Sequence, residues 1–368
     1  MLKLGASDMH LEPDFFGLRI RYRIDGVMTD ILELPGEHST ALVHILKGMA
    51  GINPELRERP GEGKISLLVK GSTHRYLVSS MPVIKGERLT IHSVMDHFIE
   101  RTLTELGFSA GVDHFVTSFL GEERGLFVIT GSLGDGRSTT ALSLARRQAH
   151  IQPSCTAVEL SPTYEVPEVR QIKCGSLMEF LRALSELALS PAELVVIDEV
   201  TSPPAMQCAA RLTESSRKVI VLTRSRNAFT ALRDLVDMGI TRDYIASSLR
   251  GVLAQKLVKT ICPHCRAPYN PHPWELRLFE SQREFPPGSF SRGEGCEQCR
   301  HTGYLGRTPL EHLVIPSGKA GLSEALLAER EVKEGLYCKE KVSLLSSAGD
   351  KCLRGVTTLQ EIARVLEL

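Results

Sequence analysis

The sequence predicts an α/β fold in which a parallel sheet carries a phosphate-binding loop at one strand end, and three observations predict it. Residues 126–130 (LFVIT) are short, apolar and β-branched, the composition of a strand buried on both faces. A turn with three glycines follows, and residues 138–150 then combine good helix formers with apolar residues at helical spacing. Further apolar runs at 155–160, Leu194–Ile197 and 219–223 alternate with helical stretches, which is the pattern of a parallel sheet.

The turn is Gly131-Ser132-Leu133-Gly134-Asp135-Gly136-Arg137-Ser138-Thr139. Strand, glycine loop and helix are the context a phosphate cradle requires. Glycines let backbone N–H groups converge on one point, and the helix start adds partial positive charge. The standard pattern is G-x4-G-K-[ST]; here Gly131, Gly136 and Ser138 are in register, with Arg137 at the lysine position. The exchange is not conservative, because a planar fork replaces a compact charge. Taken alone, the loop reads equally as a glycine-rich strand–helix turn. Nucleotide contacts are expected from Gly131, Ser132, Gly134, Asp135, Gly136, Arg137, Ser138 and Thr139.

The chain has 368 residues, enough for two or more domains, and its 42% hydrophobic and 24% charged content is ordinary for a globular protein. Lys+Arg and Asp+Glu number 44 each, so no global basicity points to nucleic acid. No apolar run reaches membrane-spanning length and the N-terminus has no signal-peptide core, so any membrane role is expected to be peripheral. Nine Cys, four of them in two C-x-x-C pairs, fit a reducing compartment and a metal site better than a disulfide framework.

From the N-terminus, residues 18–24 alternate, with Leu18, Ile20, Tyr22 and Ile24 toward a core and Arg19, Arg21 and Arg23 on the other side. The arginine stripe reads either as a solvated strand face or as a surface toward a neighbouring subunit or nucleotide. Asp25-Gly26 reads as a hairpin turn. Residues 42–51 read as a helix, and 98–108 and 112–120 as short amphipathic helices of a linker. Asp198-Glu199 directly follows the apolar run Leu194–Ile197. A carboxylate at that strand end is where a magnesium ion or its water would be held. Residues 245–257 read as one amphipathic helix, with Ile245, Leu249, Val252, Leu253 and Leu257 on one face.

Cys262-Pro263-His264-Cys265 and Cys296-Glu297-Gln298-Cys299 form C-x2-C…C-x2-C with thirty residues between the pairs. Such pairs close a tetrahedral four-thiolate Zn2+ site with no open position, so a zinc there is structural. His264 and His301 read as bystanders. The insert 266–295 reads as a loop with one helix near 274–283. Cys155, Cys174, Cys208, Cys338 and Cys352 lack metal spacing and read as small apolar residues. The last fifty residues read as a helical tail, with Thr357 or Thr358 as an N-cap and Glu361 three residues beyond the latter.

The run Gly5-Ala6-Ser7-Asp8-Met9-His10-Leu11-Glu12-Pro13, the R-I-R-Y-R-I-D-G-V that follows, Arg59-Pro60-Gly61-Glu62-Gly63-Lys64-Ile65 and Ser79-Ser80-Met81-Pro82 resemble the type II secretion and type IV pilus assembly ATPases. The likeness runs in order to the closing Gly355-Val356-Thr357-Thr358-Leu359-Gln360-Glu361, and the zinc pairs place it nearer the assembly than the retraction branch. It implies a P-loop NTPase (RecA-like) domain with a parallel sheet, preceded by a small α+β (PAS-like) domain and followed by a zinc-binding and helical tail. The implied boundaries are 1–95 for the N-terminal domain, 96–110 for a linker, 111–260 for the ATPase core, 261–310 for the zinc subdomain and 311–368 for the tail.

The resemblance also marks losses. Two arginines that reach the γ-phosphate in the family correspond to Lys64 and Leu77. The acidic box keeps Glu159 but has Leu160 and Thr163 for its aspartate and second glutamate. The histidine box has Arg224 for its histidine, and the strand-end "G-E" is Asp198-Glu199. Glu199 and Glu159 are the expected catalytic residues, ATP, Mg2+ and Zn2+ the implied cofactors, and Cys262, Cys265, Cys296 and Cys299 the metal ligands. The likeness begins at the family's second N-terminal domain, so either attachment differs or translation starts upstream.

Three functions compete: an active hexameric motor for secretion or pilus assembly, a degenerate paralogue with weak or no hydrolysis, and a zinc-ribbon nucleic-acid binder. Balanced charge and sparse aromatics speak against the third. Replacement of several charged positions together favours the second. The implied setting is a homo- or hetero-hexamer with related subunits, beside an inner-membrane platform protein, cytoplasmic and peripherally associated with that membrane.

Overall fold

The computed structural model describes residues 1–94, 98–215, 217–272, 275–276, 290–316 and 338–367. The chain divides into two compact units, Met1–Asp96 and His97–Leu368.

The first unit holds strands β1 (Ala6–Asp14), β2 (Gly17–Ile24) and β3 (Val27–Pro35), helix α1 (Gly36–Met49), and strands β4 (Gly61–Val69), β5 (Ser72–Val83) and β6 (Gly86–Val94). They form an antiparallel six-stranded sheet in the order β3-β2-β1-β6-β5-β4. Leu11, Leu18, Ile20, Ile65, Val78, Leu89 and Ile91 pack with Val43 of α1 into its core. The alternation in β2 is as expected, and Asp25 and Gly26 turn the β2–β3 hairpin at φ 47° and 84°.

The arginine stripe is matched to acids of this unit: Arg19 lies against Asp14 and Glu33, Arg21 against Glu12 and Asp30, and Arg23 against Asp8. Lys64 and Leu77 stand directly opposite each other on the β4–β5 ladder. Below the helix, wholly buried Lys47 donates to Glu87 Oε1 at 2.6 Å and to the Leu56 carbonyl at 3.0 Å, while Ser80 Oγ donates to the same carboxylate oxygen at 2.8 Å.

The second unit opens with α2 (Leu103–Leu106) and α3 (Ala110–Leu120). The helix expected over 98–108 shrinks to α2, because Thr102 and Glu105 form a capping box at its start and Gly107 at φ 99° ends it. Next come β7 (Gly125–Thr130), α4 (Arg137–Ala149), β8 (Cys155–Glu159), β9 (Arg170–Lys173), α5 (Leu177–Leu187), β10 (Leu194–Ile197), α6 (Pro203–Glu214), β11 (Lys218–Thr223), α7 (Ala228–Asp237) and α8 (Arg242–Ser248). The remaining elements are β12 (Leu249–Ile261), β13 (Arg266–Tyr269), β14 (Phe290–Gly293), β15 (Tyr304–Pro316), β16 (Cys338–Val342), α9 (Leu344–Leu353) and α10 (Leu359–Leu366).

The main sheet has eight strands in the order β16-β15-β12-β7-β11-β10-β8-β9. The neighbours from β12 to β9 pair parallel; β15 and β16 extend the sheet antiparallel. Every residue of β7, β8, β10 and β11 is buried, which accounts for their near-continuous apolar runs. In β7, Leu126 and Val128 enter the core on one face and Phe127 and Ile129 the core on the other.

The expected helix over 245–257 is corrected. Only α8 is helical, and from Leu249 the chain is a strand between β7 and β15. Leu249, Val252 and Ala254 face one core and Leu253 the other, so a two-sided strand with a register shift near Gly251 imitates helical spacing. The tail is not helical throughout: β15 reaches Pro316 and β16 pairs with it before α9 and α10. In the insert, β13 and β14 pair antiparallel; most of the expected helix over 274–283 lies outside the described residues.

Candidate functional site

Parallel pairing brings the carboxyl ends of β7, β11, β10 and β8 to one edge of the sheet, in that order. That edge is where an open α/β sheet binds ligands. The glycine loop leaves β7, Arg224 follows β11, Asp198 and Glu199 follow β10, and Glu159 closes β8.

The loop is built by its own chain and by β12. Gly134 and Gly136 sit at φ 87° and 82°, and Gly136 is the N-cap of α4. A Cβ at Gly131 would lie 2.6 Å from the Gln255 carbonyl oxygen, so the close approach of β12 excludes a side chain there. Asp135 was expected to contact nucleotide; its carboxylate instead accepts the Ser132 N–H at 2.7 Å and the Leu257 N–H at 3.3 Å. Gln255, 1% exposed, donates to the Asp135 carbonyl at 2.6 Å and accepts from Thr140 Oγ1 at 3.1 Å. Asp135 and Gln255 therefore hold the loop's shape. Ser132 and Gly134 are exposed, Ser138 is half-buried, and Thr139 Oγ1 lies 3.1 Å from the Tyr164 hydroxyl.

Arg137 is 5% exposed. Its Nη1 donates to the Thr223 carbonyl at 2.7 Å, and its Nη2 donates to Glu199 Oε1 at 3.0 Å. Arg224 completes the pairing: its Nε donates to Glu199 Oε1 at 3.0 Å and its Nη2 to Oε2. Both oxygens of Glu199 are thus occupied by guanidinium groups. Burial alone would raise this carboxyl, but hydrogen bonds from Arg224 and Arg137 hold it below its ordinary value. Glu199 also adopts the left-handed backbone conformation, at φ 52°, which is rare for a residue with a side chain.

The other two acids lie deeper. Burial first, then the Glu199 charge, pushes Asp198 up to about 6, and its Oδ1 has no hydrogen-bond partner among the described residues. Glu159 is 2% exposed; burial pushes it up to about 7, against a 2.7 Å hydrogen bond from Gln171 Nε2 and with Asp198 adding to the rise. Sequence reasoning singled out Asp198, Glu199, Glu159, Arg137 and Arg224 one by one. It missed Gln255 and Gln171, whose only local signal is a polar residue inside an apolar or alternating run.

The four cysteines converge as their spacing requires. Their Sγ atoms all lie within 4.8 Å of one another, with Cys262–Cys296 at 3.9 Å, Cys265–Cys299 at 3.7 Å and Cys296–Cys299 at 3.7 Å. A zinc tetrahedron with bonds of about 2.3 Å has edges of about 3.8 Å. Backbone N–H groups of Gly295, Cys296 and Gly303 point at sulfur at 3.2–3.3 Å, as a thiolate cluster needs. Burial would raise Cys299, but the Cys296 and Gly303 amides pull it down to about 6. Donor set and spacing fit zinc. Arg300 and His301 take left-handed φ values of 51° and 59° in the turn after the second pair. Cys262 directly follows β12, the strand that braces the glycine loop. In the tail, Thr358 is the N-cap of α10 and accepts the Glu361 N–H, while the Glu361 carboxylate accepts from Lys259 N at 3.0 Å.

No helix among the described residues is long and apolar enough to cross a membrane. Comparison with known proteins adds the family. The type II secretion system ATPase E of Vibrio cholerae is 30% identical over 368 residues, covering 99% of this chain and 73% of that protein. The type IV pilus assembly ATPase PilB of Thermus thermophilus is 28% identical over 369 residues, covering 98% of this chain and 41% of that protein. The ATPase DotB of Yersinia pseudotuberculosis is similar in fold, with a TM-score of 0.68 at 14% identity, covering 99% of this chain and 90% of that one. The family model described as type II/IV secretion system protein matches residues 1–364, and the chain belongs to that family.

Proposed function

We propose that this chain is a nucleotide-binding member of the type II secretion and type IV pilus ATPase family with weak or no ATP hydrolysis. The observation that carries this reading is the engagement of Glu199: Arg137 and Arg224 together donate three hydrogen bonds to its two carboxylate oxygens. A residue that positions attacking water works as a hydrogen-bond acceptor, and here two guanidiniums compete for that acceptor. Leu160 and Thr163 offer no carboxylate in its place. The glycine loop, by contrast, keeps its braced shape and its helix N-terminus, which suit phosphate binding. The chain then serves as a subunit of a homo- or hetero-hexameric ring with related ATPases, cytoplasmic and beside an inner-membrane platform protein. Its domains are 1–95, the linker 96–110, the core 111–260, a zinc subdomain at 261–310 and the tail 311–368.

An active hexameric motor is the competing reading, and the retained Gly131, Gly136 and Ser138 register with Glu199 favours it. Mg-ATP turnover of wild type, Glu199→Gln and Arg137→Lys/Thr163→Glu separates the two. The degenerate reading expects wild type and Glu199→Gln to be equally slow and the double variant to be faster. A wild-type rate that Glu199→Gln lowers by roughly 10²-fold, the usual effect of losing a positioned catalytic group, would establish the motor.

A further inference from the structure

The family's chemistry implies Mg2+ at the strand-end carboxylate, and the residues here do not fit it. Ser138 keeps its hydroxyl at the register position, but Glu199 accepts from two guanidiniums, one of them 5% exposed and pinned as well to the Thr223 carbonyl. A divalent cation would have to displace one arginine or sit beside both, at a cost in like-charge repulsion. Arg224 is different: its side chain is half exposed, and it follows the carboxyl end of β11 next to the glycine loop's strand.

We infer that this site binds polyphosphate without a divalent cation, the guanidiniums of Arg137 and Arg224 supplying the positive charge that Mg2+ supplies elsewhere. The inference rests on the nucleotide-binding reading above and deepens it. Guanidinium suits the task, since it is permanently charged and carries five N–H donors, of which the contacts to Glu199 and Thr223 use only some. Glu199 then acts as the counter-charge that holds the two arginines in place while the site is empty.

The test is calorimetric titration of ATP into the zinc-loaded full chain, with and without Mg2+. The metal-free buffer is prepared with chelating resin, because added EDTA would also strip the thiolate site. Equal affinities are expected. Arg224→Ala is expected to lose roughly tenfold in the metal-free buffer, the contribution of one charge-assisted hydrogen bond, and to regain affinity when Mg2+ is added, because Glu199 Oε2 then loses its guanidinium while Oε1 keeps Arg137. Binding by wild type only in the presence of Mg2+ overturns the inference and leaves nucleotide binding intact. Mg2+-dependent binding that Asp198→Asn abolishes does the same, and assigns the cation to the open Asp198 oxygen. Absence of ATP binding in both buffers defeats the nucleotide reading itself, and this inference with it. The wild-type pair of titrations decides the matter even if Arg224→Ala does not fold.

Discussion

Arg137 and Glu199, 62 residues apart in the chain, meet at 3.0 Å at the edge of the sheet where β7 and β10 end, with β11 between them. The guanidinium also takes the last carbonyl of β11, so one side chain ties together the ends of three elements. Removing it takes the donor from a buried backbone acceptor, while Glu199 keeps Arg224. Arg137→Ala is therefore expected to cost about 2–3 kcal/mol, the upper range for leaving a buried acceptor unpaired. Arg137→Lys keeps the charge but makes one contact where the fork makes two, and should cost about 1–2 kcal/mol. Urea unfolding of the two variants beside wild type measures both.

Glu159 makes stability depend on pH with a definite sign. Its folded value of about 7 lies above the ordinary value of 4.5, so the folded state binds the extra proton between them. Stability therefore falls as pH rises through that window, by at most about 1.4 kcal/mol per unit from this group, and the slope ends above it. Asp198, pushed up to about 6, adds a slope of the same sign. Glu159→Gln keeps an acceptor for Gln171 and resembles the protonated acid. It should unfold at the same denaturant concentration as wild type near pH 4, and at a higher one near pH 8.

Cys299 takes part in two of the three sulfur–sulfur contacts given above and receives two backbone N–H groups. Cys299→Ser should lose one equivalent of zinc by metal analysis and lower the thermal midpoint, because metal affinity is folding free energy in such a module. Retention of a full equivalent would rule out the four-thiolate site.

Lys47 is buried with Glu87, and neither charge has access to water that would replace its partner. Lys47→Met alone should destabilise the first unit by about 3–5 kcal/mol, while Lys47→Met with Glu87→Leu should recover most of the loss. Denaturant titration followed by amide exchange in α1 and β6 would register both effects.

Much of the second unit is legible in order along the chain. The strand at 126–130, the helix after it, Leu194–Ile197 and the cysteine spacing all came out as expected, because each is a local pattern: a two-sided apolar run, a helical period, a ligand pair. The helix assigned to 245–257 failed for a reason of the same kind. A strand buried against both cores has no alternation to betray it, and β12 is such a strand because β7 and β15 flank it.

By itself, then, the sequence determined where the glycine loop lies, which four sulfurs converge, and which acidic and basic positions depart from the family's pattern. Those are matters of residue type and spacing. Only the tertiary structure decided what the departures do. Arg137, Arg224 and Glu199 come from three strand ends, and Asp135 finds Leu257 across 122 residues. Charge pairing acts over a few ångströms of space and is indifferent to distance along the chain, so it could be read only once the sheet had set those ends side by side.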